Sequence, residues 1–431
     1  MLAVIARIRH GIVEHVSRRT FYGWVILWVA GAGIFASGPG QSHTFSVFIG
    51  PISQDLGIGA TEITSAYGLA TLIAAFGLPM MGRLVDRNGV VMMMLVVITL
   101  LGFMCIFFGL VPSLIWLGVG FCGVRFLAQG SLMLNCANVI SHWFSRKRGF
   151  AMGVMLLGFA VSMAIHPVAS QWLIDNVGWR KAWFWLGVST WGLMLPLVVL
   201  LLHNAPEALG LRSDGAAADE PETAVDQRHS ADFGLTLAQA LRTPTFYIVA
   251  SGLFTMSMLI TTLHFFQVSI FEHQGLSPNI AAGMFALSAL VAVVSQPIFG
   301  RGLDRLPTHR MFGVALFVLC GSLFSVTFVC DLPTAILYGV IFGINNAISM
   351  TLFGYLWPRY FGRKHLGSIQ GTGQMIGVVG ASIGPLPLGI AFDLFGNYNQ
   401  MLYILAVIPI FVAIPTQFLK EPNIAGPEDT V

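Results

Sequence analysis

The hexapeptide GRLVDR, Gly82–Arg87, returns as GRGLDR at Gly300–Arg305. Three more pairs keep the same spacing along the chain: WFSRKRG with YFGRKHLG, IHP with IGP, and Asp175 with Asp393. Four agreements at one offset are not expected by chance. The sequence therefore predicts a chain made of two similar halves.

The composition identifies the kind of protein. Of the 431 residues, 56% are hydrophobic and only 10% are charged, whereas soluble domains carry about 25% charged residues. The apolar residues form blocks of about 20, the length of a helix that spans a bilayer. Twelve blocks are predicted, near residues 22–48, 62–82, 90–110, 112–140, 149–173, 180–202, 244–271, 279–300, 309–329, 332–357, 366–391 and 397–419. The sequence thus predicts an all-α membrane protein with two pseudo-symmetric six-helix bundles.

The distribution of basic residues predicts the orientation in the membrane. Cytoplasmic loops of membrane proteins carry an excess of Lys and Arg. One set of alternate loops, together with the N-terminus, holds nearly all the basic residues, whereas the opposite loops hold only Arg180 and Lys181. We therefore expect both termini to be cytoplasmic.

One segment interrupts the membrane pattern and divides the chain. Residues 204–243 are rich in Ala, Asp and Glu, a composition typical of a solvated linker. We expect an N-terminal bundle over 1–203, a cytoplasmic linker over 204–243 and a C-terminal bundle over 244–431. The acidic residues of the linker are expected to be merely solvated. Two bundles joined by a loop suit alternating access, in which the halves rock around a site near the midplane.

At this point the chain resembles the major facilitator superfamily over essentially its whole length. Within it, the chain is similar to the monocarboxylate transporter and oxalate–formate antiporter group. The stretches RTFYGW, RFLAQGS, WFSRKRGFAMG, RYFGRKHLGSIQG and PEALGLRSDG carry this second resemblance. It implies a transporter in the bacterial cytoplasmic (inner) membrane, expected to be a monomer. Members that carry small carboxylates place a cation on the eighth or eleventh helix, and neither helix has Lys or Arg here.

The repeated hexapeptide resembles the superfamily's signature between the second and third helices. We expect Asp86 to meet a helix N-terminus or a neighbouring arginine, a contact that could latch one conformation and release in the other. The alternative is that the loop only anchors the topology. The predicted latch residues are Gly82, Arg83, Asp86, Arg87, Gly300, Arg301, Asp304 and Arg305.

Arg125 lies within the fourth predicted helix, where a buried charge usually marks function or a paired charge. The helix cores contain no Asp or Glu to pair with it. A lone cation in an aqueous cavity attracts anions. We expect Arg125 to bind a small organic anion, in particular a carboxylate; the alternative is that it donates to carbonyls of a neighbouring helix.

Other polar residues at cavity-compatible positions complete the candidate site. The predicted substrate-binding residues besides Arg125 are Gln41, His43, Gln129, His264, Asn346 and Gln374. Proton relays in membranes use Asp, Glu or His, so His43, His166 and His264 are the candidates for proton coupling. The alternative for each is a hydrogen-bonding interfacial histidine.

Several function classes are excluded or left as alternatives. The chain contains no phosphate-binding GxxxxGK[ST] motif, no metal-ligand spacing and no nucleophile–base set. No enzyme activity, cofactor, metal or nucleic-acid partner is predicted. The favoured function is proton symport of an organic anion. An exporter or antiporter of the same fold, or a membrane sensor that no longer transports, remains the alternative.

Overall fold

The computed structural model describes residues 2–58, 60–215 and 234–420. This part of the chain is helical, with one isolated bridge between Gly234 and Gly362. The helices before the linker are α1 (Leu2–Ser17), α2 (Gly23–Ala36), α3 (Ser42–Phe45), α4 (Ile49–Leu56), α5 (Ala60–Phe76), α6 (Leu78–Asn88), α7 (Val90–Phe108), α8 (Leu114–Val124), α9 (Met133–Trp143), α10 (Arg148–Met155) and α11 (Leu157–Leu201). Those after it are α12 (Leu237–Ala240), α13 (Pro244–His273), α14 (Pro278–Arg305), α15 (Thr308–Thr327), α16 (Leu332–Phe361), α17 (Leu366–Ile383), α18 (Pro385–Phe395) and α19 (Asn399–Thr416).

The described residues contain eleven helical stretches long and apolar enough to cross a membrane. One of them, Arg148–Leu201, has 54 residues, more than twice the length that a single span needs. Gly178 breaks this stretch with a φ of 80°, a conformation that glycine adopts without steric cost. The stretch therefore accounts for two crossings, and the fold contains the twelve predicted spans.

The first and fourth spans depart from regular α-helix at positions that matter for the site. The first span ends as an α-helix at Ala36, continues through a single 3₁₀ turn at Gly38–Gly40, and resumes as α3. Pro39 cannot donate a backbone hydrogen bond, which explains the break. In the fourth span, Arg125–Leu132 is π-helical, and such segments occur frequently at functional sites.

Each half of the chain has its own hydrophobic core. One core runs between Val13 and Leu202 and contains the fully buried rings of Trp143 and Trp183. The other runs between Leu235 and Leu419 and contains that of Trp357. We call these the N-terminal half and the C-terminal half.

The two halves touch through glycines at one end of the spans. A Cβ atom on Gly82 would lie 1.9 Å from the Gly367 carbonyl oxygen, and one on Gly300 would lie 2.2 Å from that of Gly149. Only glycine permits backbones this close. We call this the basic end, because its loops carry Arg83, Arg87, Arg146, Arg301, Arg305 and Arg310. The halves are closed against each other there.

Candidate functional site

Arg125 is only 8% exposed and lies at the start of the π-helical segment. Its Nη1 donates to the Gly40 carbonyl oxygen at 2.9 Å, and its Nε donates to the Thr71 hydroxyl at 3.1 Å. The guanidinium carbon sits 4.8 Å from the centre of the Tyr67 ring. Among the described residues, Arg125 thus contacts a carbonyl, a hydroxyl and an aromatic face, but no carboxylate.

The groups around Arg125 are themselves held in place. Thr71 donates its hydroxyl hydrogen to the Tyr67 carbonyl at 2.8 Å, so its oxygen is oriented to accept from Arg125. The Tyr67 hydroxyl is bonded to Ser42 at 2.7 Å. Removing the Gly40 hydrogen bond would leave one guanidinium edge available to an anion, since Arg donates in a planar fork suited to carboxylates.

Two of the predicted histidines meet on one hydroxyl. The Nε2 atom of His43 lies 3.2 Å from the Ser162 oxygen, and the Nδ1 atom of His166 lies 3.1 Å from the same oxygen. Ser162 is fully buried, and His166 is 7% exposed. The ring of His166 also packs on Phe35, with centroids 4.6 Å apart.

Two of the C-terminal candidates, His264 and Asn346, contact Phe342. His264 is exposed, its ring lies 4.7 Å from that of Phe342, and its Nδ1 is 3.0 Å from the Ile260 carbonyl oxygen. Asn346 donates to the Phe342 carbonyl oxygen at 3.0 Å. Phe342 is thus contacted by both candidates, at its ring by His264 and at its backbone carbonyl by Asn346.

The three glutamine candidates lie in different places. Gln129 is half-buried and lines a small cavity of about 10 Å³ together with Arg125. Gln41 is 3% exposed and donates to the Ser37 hydroxyl at 3.0 Å. Gln374 lines a separate cavity of about 60 Å³ between the two halves, among methionines. The structure thus places Gln129, but not Gln374, beside Arg125.

The carboxylates of the repeated hexapeptide each bind a helix N-terminus of the other half. Asp86 accepts hydrogen bonds from the backbone N–H groups of Gly367 and Ser368, at 2.6 and 2.7 Å. Asp304 accepts from the N–H groups of Gly149 and Phe150, at 2.8 and 3.0 Å. A carboxylate is stabilised there by the free N–H groups and the helix dipole.

The arginines of the two hexapeptides lie at the surface. Arg83, Arg87 and Arg305 are exposed. Arg301 is exposed as well, and its guanidinium lies 4.6 Å from the centre of the Phe150 ring. Arg301 therefore contacts the same helix start that Asp304 caps, from the opposite half.

The expectation that the acidic linker residues are merely solvated is wrong for two of them. Asp214 accepts backbone N–H bonds from Ser145, Arg146 and Lys147, at distances from 2.7 to 3.1 Å. Glu207 pairs with Arg363 at 2.9 Å. Residues 216–233, with the remaining acidic residues of the linker, lie outside the described part of the chain.

Arg363 is the residue of the C-terminal half that binds the linker. It is 1% exposed, and it also donates to the Ser213 hydroxyl at 2.9 Å. Burial lowers the pKa of its guanidinium, and the neighbouring Glu207 charge opposes this shift. Through Asp214 and Arg363, one short stretch of linker holds a loop of each half at the basic end.

Some contributors were not among the sequence-based candidates. Tyr67 and Thr71 are four residues apart, as are Ser162 and His166, so each pair shares one helix face. That spacing was a usable signal. For the Gly40 carbonyl oxygen, the sequence carried no signal beyond Gly-Pro-Gly. Its hydrogen bond with Arg125 depends on how the first and fourth spans pack.

Comparisons with known proteins agree with this architecture. The chain is 24% identical over 402 residues to a protein described as a probable hexose phosphate transport protein of Chlamydia pneumoniae, covering 85% of this chain and 84% of the relative. It is also 24% identical over 429 residues to monocarboxylate transporter 13 of Bos taurus, covering 95% and 93%.

The fold is also found among solved structures. The crystal structure of the human organic anion transporter MFSD10 (TETRAN) superposes with a TM-score of 0.72 at 13% identity, covering 92% of this chain and 99% of that one. The family model described as Major Facilitator Superfamily matches residues 23–385 and 268–429. The predicted resemblance is confirmed: this chain is a transporter-type membrane protein that belongs to the Major Facilitator Superfamily.

Proposed function

We propose that the protein is a secondary transporter of a small organic anion, a carboxylate, driven by proton symport. The observation that carries this proposal is the buried Arg125, which meets neutral groups rather than a carboxylate among the described residues. A guanidinium with neutral partners keeps its full positive charge for an incoming anion. Two neutral acceptors are weaker partners than a carboxylate, which Arg binds bidentately.

The names of the relatives support an anionic substrate. A hexose phosphate, a monocarboxylate and an organic anion are all negatively charged near pH 7. The carboxylate is the narrower choice, because one guanidinium fits a planar monoanion, whereas a phosphate dianion is usually held by several cations. Arg125 is the one Arg or Lys among the candidate substrate-binding residues.

The two halves and the contacts between them support alternating access. In our proposal the basic end faces the cytoplasm of a bacterial inner membrane, and both termini lie on that side. The bundles 1–203 and 244–431 rock against each other, and Asp86 and Asp304 hold the cytoplasm-closed conformation. His264 and Ser42 remain exposed in this conformation, as expected for groups reached by solvent from the opposite side.

A ligand panel on the purified protein tests the substrate class. Acetate, L-lactate, benzoate and oxalate are titrated beside glucose 6-phosphate, glucose and choline, with the unfolding temperature measured at pH 5.5 and 7.5. A bound ligand stabilises by mass action, so the temperature should rise with carboxylate concentration. Arg125→Gln should abolish this rise, whereas Arg125→Lys, which keeps the charge, should retain part of it.

Two results would overturn the proposal. If glucose or choline stabilises and the carboxylates do not, the substrate class is wrong. If a carboxylate stabilises Arg125→Gln as well as the wild type, Arg125 only donates to Gly40 and Thr71 as a structural residue. Stabilisation by glucose 6-phosphate alone would keep an anion site at Arg125 and would exclude the carboxylate.

The exporter or antiporter remains the second candidate function, since the same fold serves both. Exchange is distinguished from symport by loading proteoliposomes with unlabelled anion. An antiporter accelerates uptake of labelled anion under this condition without a pH gradient. A symporter accumulates the anion when only the proton gradient is imposed.

A further inference from the structure

We infer that His43, Ser162 and His166 form one proton-binding unit that accepts a single proton, with Ser162 as its positioning residue; this rests on the proposed proton symport. The unit is a continuous hydrogen-bonded chain across two spans. It runs from the His43 Nε2 atom through the Ser162 hydroxyl to the His166 Nδ1 atom, with distances of 3.2 and 3.1 Å.

The hydroxyl makes the two rings interdependent. A serine hydroxyl has one hydrogen to donate and two lone pairs to accept. When both rings are neutral, it donates to one ring nitrogen and accepts from the N–H of the other. When His43 takes a proton, its Nε2–H donates to the Ser162 oxygen, and the hydroxyl hydrogen turns toward the Nδ1 atom of His166.

A second proton is opposed by the first. The two ring nitrogens are separated by only two hydrogen bonds, and Ser162 is fully buried. Like charges this close disfavour double protonation, and the two protons then titrate in separate steps that belong to the pair. The unit therefore binds at most one proton at a time.

Other charged and titratable groups lie near the unit on neighbouring spans. Arg125 lies near the unit, because it donates to the carbonyl of Gly40, three residues before His43. Tyr67, from the second span, is bonded to Ser42 next to His43. Asp55, the carboxylate near the far end of the first span, pairs with Arg180 at 2.8 Å instead.

The 3₁₀ turn at Gly38–Gly40 in the first span connects this unit to Arg125. A Cβ atom on Gly38 would lie 2.4 Å from the His166 ring, so this ring packs directly on the Gly38 backbone. Two residues later, the Gly40 carbonyl accepts from Arg125. An anion that draws Arg125 away from Gly40 therefore releases the Gly40 end of this turn. The Gly38 end of the same turn packs on the His166 ring. This is a direct mechanical link between anion binding and proton binding.

A titration that needs no substrate tests the unit. Histidine ring ¹⁵N shifts are followed against pH in the full chain in nanodiscs, with signals assigned from His43→Gln and His166→Gln. We expect His166→Gln to move the midpoint of His43 by more than half a pH unit, and Ser162→Ala to do the same. Ser170→Ala, which removes another fully buried hydroxyl from the same helix, should leave it unchanged. If His43 titrates identically in all four proteins, the unit does not exist.

Uptake against pH tests the same unit in function. Labelled L-lactate, benzoate and oxalate are each offered to proteoliposomes at external pH values from 5 to 8. In Ser162→Ala the midpoint of uptake against pH should move to lower pH, because the protonated histidine ring loses the Ser162 oxygen as a hydrogen-bond acceptor. Uptake at pH 6.5 should fall by about tenfold, as for one hydrogen bond to a charged group, with KM at pH 5 changed less than twofold.

The failures of the two proposals are distinguishable. Uptake that ignores the pH gradient in the wild type contradicts symport, and the ¹⁵N titration then still decides whether the histidines share a proton. Uptake that follows pH identically in wild type and Ser162→Ala contradicts the unit and leaves symport standing.

Discussion

Replacing Asp86 by Asn should open the basic end. Asp86 binds two backbone N–H groups and the Ser368 hydroxyl of the other half. Each hydrogen bond to a charged group contributes about 1.5–3 kcal/mol. Asn keeps one acceptor oxygen and loses the charge, so we expect a net loss of about 2 kcal/mol from the closed conformation. At about 1.4 kcal/mol per factor of ten, the closed-to-open ratio should fall roughly thirtyfold.

The distance between spin labels at Asn88 and Arg310 measures this opening. Both residues are exposed at the basic end, one in each half, and the exposed Cys330 is replaced by Ser first. Double electron–electron resonance should show a new, longer distance in Asp86→Asn. Asp175→Asn is the matched control, since Asp175 is exposed and accepts from Gln171 within its own helix. An unchanged distance distribution in Asp86→Asn would show that Asp86 does not hold the basic end closed.

Three further perturbations have defined outcomes. Gly300→Val should abolish transport without loss of expression, because its Cβ would lie 2.2 Å from the Gly149 carbonyl oxygen; normal uptake would contradict the close crossing. Asp214→Asn should speed amide hydrogen exchange at residues 145–147, read by mass spectrometry, since these N–H groups lose a charged acceptor; unchanged exchange would show that the linker contact adds nothing. Burial and the Arg9 charge lower the pKa of His203 to about 4. As the pH falls, the unfolded chain therefore binds a proton at His203 before the folded chain does, and the folded state loses stability between about pH 6.5 and 4. His203→Gln should therefore lose less unfolding temperature between pH 7 and 5 than the wild type, and an equal loss would contradict this.

The spans were predictable because a membrane imposes their length and composition. Blocks of about 20 apolar residues fit a membrane-spanning helix and few other structures. The internal repeat indicated which helices of the two halves correspond. The breaks were less predictable. Pro39 signalled one, but nothing in RFLAQGS indicates that Arg125–Leu132 is π-helical, because that geometry depends on packing against neighbouring helices.

Local spacing predicted contacts within a helix better than contacts between helices. Asp86 was expected to meet a helix N-terminus or an arginine, and the structure shows the N-terminus of α17. Arg125 was left with two interpretations, and in this conformation its contacts are those of the structural one. Asp214 lies in a polar, acidic stretch whose composition is that of a solvated loop. Only the fold brings its carboxylate close to the three backbone N–H groups that donate to it.

Proton-driven uptake by Arg125 variants tests whether the protein is an anion transporter built around Arg125. Proteoliposomes at internal pH 7.5 and external pH 5.5 are given labelled L-lactate, benzoate or oxalate, with wild type, Arg125→Gln and Arg125→Lys compared. We predict that the wild type accumulates at least one of these anions only while the gradient lasts. Arg125→Gln should reduce this at least tenfold, with partial recovery in Arg125→Lys. Accumulation that Arg125→Gln leaves intact, or a wild type that moves glucose and none of the anions, would contradict an anion transporter built around Arg125.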